Sequence, residues 1–318
     1  MVSLDDVRAA REAIAGRLHR TPTFSSAVLG ERVGAPVFLK AELFQKTGSF
    51  KPRGMLNALA HLSDEEKRHG VITISAGNAA QSLAYCSALG GIDCLVVMWK
   101  GASEAKLAAT REYGAAVDLE AGTPAEAFER LAELRDETGR AFVHSFDDPF
   151  LIAGHGSLGL ELVEDVERFS TVVVPVGGGG LISGIATAIK GARPEVRIVG
   201  VEPELSPAMH TALTAGEPVT VQPTSIADGL NAPFAGENTL AICRELVESV
   251  VLVSEDELKD AFRFLYVRAK LAAEPAGAAS VAALLAGKVP LEPGETAVAV
   301  VSGGNVATQT AAAILAEA

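Results

Sequence analysis

From residue 36 onward, short runs rich in Val, Ile and Ala alternate with longer stretches of helical apolar period, and this alternation constrains the fold more than any other feature. Strands are expected over 36–43, 71–75, 94–99, 116–119, 141–145, 171–176, 196–201, 250–253 and 297–301. Helices are expected over 51–61, 79–89, 104–113, 124–138, 150–166, 181–189, 206–214, 237–246, 255–269, 276–285 and 305–315. An amphipathic helix over 3–18 precedes them, opened by Ser3 and Asp6 as a capping box and stopped by Thr21-Pro22-Thr23. Ser254 and Glu257 form a second capping box. Strands separated by helices of these lengths need right-handed crossovers and therefore parallel sheets. A chain of 318 residues has room for about two such units. The expected fold class is α/β, two doubly wound lobes with parallel sheets, with ligands bound in the cleft at the carboxyl ends of the strands. The stretch 215–236, with five Gly or Pro residues before Phe234, reads as a long surface loop.

Small residues make such packing feasible: the chain is 48% hydrophobic with 31 glycines, yet only 5% aromatic. A formal charge of −13 without a basic run argues against nucleic acid or an anionic membrane as partner, so any phosphate must be held by local backbone dipoles. The three cysteines, Cys86, Cys94 and Cys243, have no metal-ligand spacing and read as core thiols of a reduced, cytoplasmic protein. The opening MVSLDDVRAAREA lacks a basic start and an apolar core, and no later stretch reads as a membrane span.

Chemistry concentrates in four segments. Gln45 to Asn57, QKTGSFKPRGMLN, sets Lys51 where an extended stretch turns into a helix. A lysine there is either a solvated side chain beside a helix start or an amine aimed into a cleft, where desolvation makes it a nucleophile toward carbonyls. Val172-Val173-Val174-Pro175-Val176 runs into Gly177-Gly178-Gly179-Gly180, and Leu181 opens the next helix. Four glycines let backbone N–H groups converge on an anion at a helix N-terminus, more than a tight turn needs. A dinucleotide is the competing ligand, since Glu202 ends the next strand where a ribose-binding acid is expected. Ser183, however, stands where the third glycine of that fingerprint belongs. Ser75-Ala76-Gly77-Asn78 and Ser302-Gly303-Gly304-Asn305 each follow a strand and open a helix, and read either as ordinary N-caps or as parts of the same cleft.

Taken together, these segments resemble the pyridoxal-phosphate enzymes of the tryptophan synthase β fold type (fold type II), within the serine/threonine dehydratase and serine racemase group. TGSFKPRG resembles the segment of the Schiff-base lysine, SAGN the substrate-carboxylate loop, GGGG the phosphate cup and SGGN the turn whose serine meets the pyridine nitrogen. DDPFLIAGHGSLGLE, VEPE, SIADGL and EPAGAAS follow in the family's order. The resemblance implies pyridoxal 5'-phosphate as cofactor, with Lys51 carrying its aldehyde and taking the substrate α-proton. Phe50 would flank the ring, Asn78 would bond the 3' oxygen, Gly177, Gly178, Gly179, Gly180 and Leu181 would hold the phosphate, and Ser302 would meet the ring nitrogen. Ser75, Ala76, Gly77, Asn78 and Ala79 would bind the substrate. It further implies a large cofactor-binding domain, 1–47 plus 148–318, a small substrate-loop domain, 48–147, and a homodimer. The reaction implied is β-elimination from a small β-hydroxy amino acid, L-threonine or L-serine, giving a 2-oxo acid and ammonia. Rival readings are a racemase, a hydroxyaspartate lyase, a dehydratase of hydroxyectoine breakdown, a silent cofactor carrier and, outside the family, a nicotinamide oxidoreductase.

The chain departs from the group at several positions. Racemases of the group carry a serine where this chain has Ala76, which cannot move a proton, so racemisation falls behind dehydration. The usual histidine after the asparagine is Ala79, which opens the question of substrate size. The divalent-metal site of some relatives pairs the acid of VEP with an aspartate six residues on; here these are Glu202 and Ala208, so no bound metal is expected, although a monovalent cation stays open. His155 replaces a common glutamine and reads as a packing or capping residue, and Asp228 and Glu274 read as cleft-bordering, capping or salt-bridged acids. Ala318 follows the last helix closely, so isoleucine feedback through an appended regulatory domain is not expected.

Overall fold

Among the residues that the computed structural model describes, 1–317, ten strands form two sheets. In chain order they are β1 (Thr23–Ser25), β2 (Val37–Ala41), β3 (Val71–Ile74), β4 (Cys94–Trp99), β5 (Ala116–Ala121), β6 (Ala141–Phe142), β7 (Thr171–Pro175), β8 (Arg197–Pro203), β9 (Ser249–Val253) and β10 (Ala297–Val301). The larger sheet has the order β1-β2-β10-β7-β8-β9 and the smaller β5-β4-β3-β6. All pairings are parallel except β1 with β2 at one edge, so the parallel expectation holds for both sheets with one antiparallel addition.

The inner strands β3, β7 and β10 are buried on both faces, which is why they read as nearly continuous apolar runs. Along β7, Val172 and Val174 join Ile182 and Ile185 of the following helix, whereas Val173 packs with Phe262 and Ala279 on the opposite face. In β4, Val96 and Met98 meet Leu83 and Met55, while Val97 meets Ala127 and Leu131. This period of two sets the sheet register.

Helix caps follow the sequence. Ser3 and Asp6 box the start of Leu4–Ile14, and Ser254 and Glu257 that of Glu255–Phe264. The first helix ends earlier than its pattern suggests, at Ile14, ahead of Gly16 in the left-handed region. After Phe264 the backbone widens into a π turn, Leu265–Ala269, closed by Lys270 at φ 60°. Three elements escape the sequence pattern: β1 and the helices Ala27–Val33 and Asp64–His69. Asp64–His69, DEEKRH, buries no residue, so it has no apolar period to detect; Ser63 and Glu66 box it locally. β6 is shorter than expected because His144 Nδ1 accepts the N–H groups of Phe146 (3.1 Å) and Asp147 (2.8 Å), turning the chain out of the sheet.

The helix Pro149–Asp165 runs between the two sheet systems, and its glycines set how closely it packs. A Cβ on Gly154 would stand 2.4 Å from the Arg53 carbonyl oxygen, and one on Gly184 of the helix Gly180–Ala192 2.3 Å from that of Ile152. Both distances are far inside contact, so these backbones touch only because the residues are glycine. The chain passes from the larger sheet to the smaller between β2 and the helix Pro52–Ala60, and returns between β6 and Pro149–Asp165. No helix among the described residues is long and apolar enough to cross a membrane.

Candidate active site

The carboxyl ends of β3, β6, β7 and β10 converge on Lys51. Ser49 forms an antiparallel bridge with Gly303, the Phe50 N–H donates to the Ser302 carbonyl at 3.1 Å, and the Gly304 N–H donates to the Gly48 carbonyl at 2.9 Å. These bonds stitch the lysine segment to the turn after β10. Thr47 and Gly48, at φ 61° and 72°, bend the chain so that Lys51 immediately precedes Pro52, the first residue of its helix. Lys51 Nζ donates to the Ser145 carbonyl at 2.7 Å and lies 5.2 Å from the centre of the Phe50 ring. Loss of water around the half-buried side chain pushes the amine down to about 8.

Below it lies His155, fully buried and edge-on to Phe50 with ring centroids 4.8 Å apart. Burial holds the imidazole far below its usual range, uncharged, against the opposing pull of the Gly180 and Lys51 main chain. It packs against Phe50 and Gly54.

Gly177 to Gly180 leave β7 and turn into the helix Gly180–Ala192. Only Gly179, at φ 98°, needs glycine for conformation. The others need it for space: a Cβ would come 2.3 Å from the Phe146 ring at Gly178, 2.6 Å from the Phe146 carbonyl oxygen at Gly180 and 3.2 Å from the Leu230 backbone at Gly177. Thr239 Oγ1 fixes the loop from behind by donating to the Gly178 carbonyl at 2.7 Å. Gly180, Leu181 and Ile182 are the first residues of the helix, so their N–H groups have no intrahelical acceptor and suit an anion.

The turn after β3 divides in two. Ser75, Ala76 and Gly77 are half-exposed, and Ser75 Oγ accepts the Gly77 N–H at 3.2 Å. Asn78 and Ala79 are buried, and the Ala79 methyl packs into the core with Met55 and Leu83. Asn78 is held from both sides, its Nδ2 donating to Glu274 at 2.6 Å and its Oδ1 accepting from Asn305 Nδ2 at 2.8 Å. Burial pushes the Glu274 carboxyl up to about 7. Ser302 is buried at the end of β10. The structure therefore brings Lys51, Phe50, Asn78 and Ser302 together with the glycine cradle, and turns Ala79 toward the small-sheet core.

Several contributors carry no sequence signal of their own. The partner of Lys51 is a main-chain carbonyl, and Phe146 is identified as the wall of the glycine loop only by the space the glycines leave. Arg53, two residues after Lys51, is buried and donates to Glu42 (2.8 and 2.9 Å) and Glu161 (2.7 and 3.0 Å). Burial opposes the Glu42 charge, but Arg53 beside it prevails and holds the carboxyl below its usual range. Glu202 accepts the N–H groups of Met209 (2.7 Å) and His210 (2.8 Å) at a helix start, and burial raises it to about 8. Asp228 is bonded to Lys106.

Two parallel sheets with a lysine, a glycine cradle and two Gly-Asn turns at the strand ends define the pyridoxal-phosphate enzymes of fold type II. The chain belongs to that family: the model described as "Pyridoxal-phosphate dependent enzyme" matches residues 14–303, which removes the nicotinamide reading. It is 44% identical over 308 residues to an L-threonine ammonia-lyase of Thermotoga maritima, covering 96% of this chain and 76% of that one. It is 43% identical to the catabolic L-threonine dehydratase TdcB of Escherichia coli strain K12, with 96% and 93% covered. Its fold superposes on maize serine racemase with a TM-score of 0.94 at 34% identity, covering 99% and 97% of the two chains. The residues present fit the cofactor. The cradle presents free N–H groups to a phosphate, and a partly neutral amine lies ready for an aldehyde.

Proposed function

We propose that this enzyme is a dehydratase (ammonia-lyase) that converts a small β-hydroxy amino acid, L-threonine or L-serine, to a 2-oxo acid and ammonia. The observation that carries the reading is Lys51: its amine is lowered to about 8 at the junction of the strand ends, in a chain 44% identical to an L-threonine ammonia-lyase. Pyridoxal phosphate, when bound, supplies an aldehyde and an electron-withdrawing ring. Lys51 would hold the aldehyde, Phe50 flank the ring, Asn78 meet the 3' oxygen, Gly177 to Gly180 and Leu181 hold the phosphate, and Ser302 face the ring nitrogen.

The residues then divide the work. The Ser75 to Asn78 turn, at the N-terminus of the helix Asn78–Gly90, binds the substrate carboxylate through backbone N–H groups. With the substrate amine on the aldehyde in its place, Lys51 would be free to take the α-proton and hold it. Ser302, a neutral hydroxyl, would do little to keep a ring nitrogen protonated, so loss of the β-hydroxyl, as water with a proton from the bound phosphate, would outpace return of the α-proton. Ala76 has no group to deliver a proton to the other face, which favours elimination over racemisation. Ala79, facing the core, leaves pocket size to the half-exposed Ser75 to Gly77. The same reading takes 48–147 as the small domain and 1–47 plus 148–318 as the large one, in a cytoplasmic homodimer.

Borohydride treatment of the coloured protein should bleach it and label Lys51, and a panel of β-hydroxy amino acids should release 2-oxo acid, from L-threonine or L-serine above the rest. An unlabelled Lys51 defeats the site assignment. Racemisation without 2-oxo acid would make the enzyme a racemase, and no turnover of any kind would make it a carrier.

A further inference from the structure

Glu274 occupies the N-cap position of the helix Pro275–Leu285, yet its side chain caps nothing. The carboxylate turns instead toward Asn78 and the turn after β10, where a Cβ on Gly303 would stand 2.4 Å from Oε1. Oε1 accepts from Asn78 at 2.6 Å; Oε2 is buried without any partner. A buried acceptor left unpaired is costly, and in an enzyme such a group calls for a ligand.

The neighbouring amides admit a single orientation. Asn305 Nδ2 donates to the Thr47 carbonyl at 2.7 Å, and a carbonyl can only accept. The same nitrogen therefore faces Asn78 Oδ1, which leaves Asn78 Nδ2 toward the carboxylate. With one of its two N–H groups on Glu274, Asn78 keeps one to give. A flipped Asn78 would set two acceptors, its own Oδ1 and the carboxylate, against each other.

Resting on the reading in which Asn78 meets the cofactor's 3' oxygen, we propose that Glu274 is a positioning residue. It fixes Asn78 so that a single N–H points at that oxygen, and its free oxygen sets the charge beside it. The charged groups around it come from different elements: Lys106, from the helix Glu104–Glu112 of the smaller-sheet unit, favours its ionised form, and Asp228, in the short turn Asp228–Leu230, disfavours it. Lys106 and Asp228 are themselves paired across the gap between the two sheet systems. Because burial raises the carboxyl to about 7, the charge next to the cofactor oxygen changes within the ordinary working range.

The test is a pH titration of the holoenzyme, reading the ratio of the two absorption bands that report whether the cofactor's ring oxygen carries a proton. The wild type should show a transition near pH 7, and Glu274→Gln, equal in shape but unable to ionise, should lose it. Lys106→Met removes a favourable charge and should move the transition to higher pH, which tests the idea even if Glu274→Gln folds poorly. A transition unchanged in both variants overturns the proposal. Borohydride labelling of Lys51 in the same samples separates the two claims: labelled protein with unmoved titrations defeats only the role of Glu274, whereas unlabelled wild type defeats the site reading beneath it.

Discussion

A lysine in water titrates near 10.4. In the cofactor-free protein Lys51 should therefore react with an amine reagent with a midpoint near pH 8, ahead of the surface lysines, as peptide mapping across a pH series would show. A midpoint near that of the other lysines would mean that the amine is not desolvated. Part of this site is legible in the sequence because glycine, Asn and the Lys-Pro junction are unusual where they stand. The rest is not, for a physical reason: the Ser145 carbonyl exists at every residue, and Asn305 and Glu274 acquire their roles only from what folds against them. Glu202 shows the same limit. Its position at a strand end suggested a ribose or metal ligand, and the fold spends both oxygens on the first N–H groups of a helix.

At the scale of elements, helix packing depends on missing side chains. Gly184→Ala should push a methyl into the Ile152 carbonyl and cost about 1–3 kcal/mol by overpacking, read as a lower urea midpoint at unchanged m. Gly34→Ala would also be strained, at φ 77°, but would meet no atom within 4 Å, so its loss should be smaller and purely conformational. The alternating pattern identified the long strands and helices because most of them bury a face. Elements that bury little, β1 and Asp64–His69, have no pattern to detect, and β6 stops where a histidine side chain, rather than a loss of apolar residues, ends the ladder.

The buried charges belong to the whole molecule. Arg53 joins Glu42, just after β2, to Glu161 of the helix Pro149–Asp165, and Glu161 also meets the fully buried Lys40 at 2.7 Å. Removing one member strands the others in a medium that cannot solvate them. Arg53→Met should cost about 3–5 kcal/mol in a denaturant titration. Adding Glu42→Gln, while Glu161 keeps its pair with Lys40, should recover part of the loss, which a mere cavity would not allow. Among the described residues the chain crosses between its two sheets at two places, and Lys51 stands at one while Ser145 stands at the other, with the amine bonded across them. The reactive amine thus ties the two crossings to each other, and a movement of the sheets that parted the crossings would have to break its bond to Ser145.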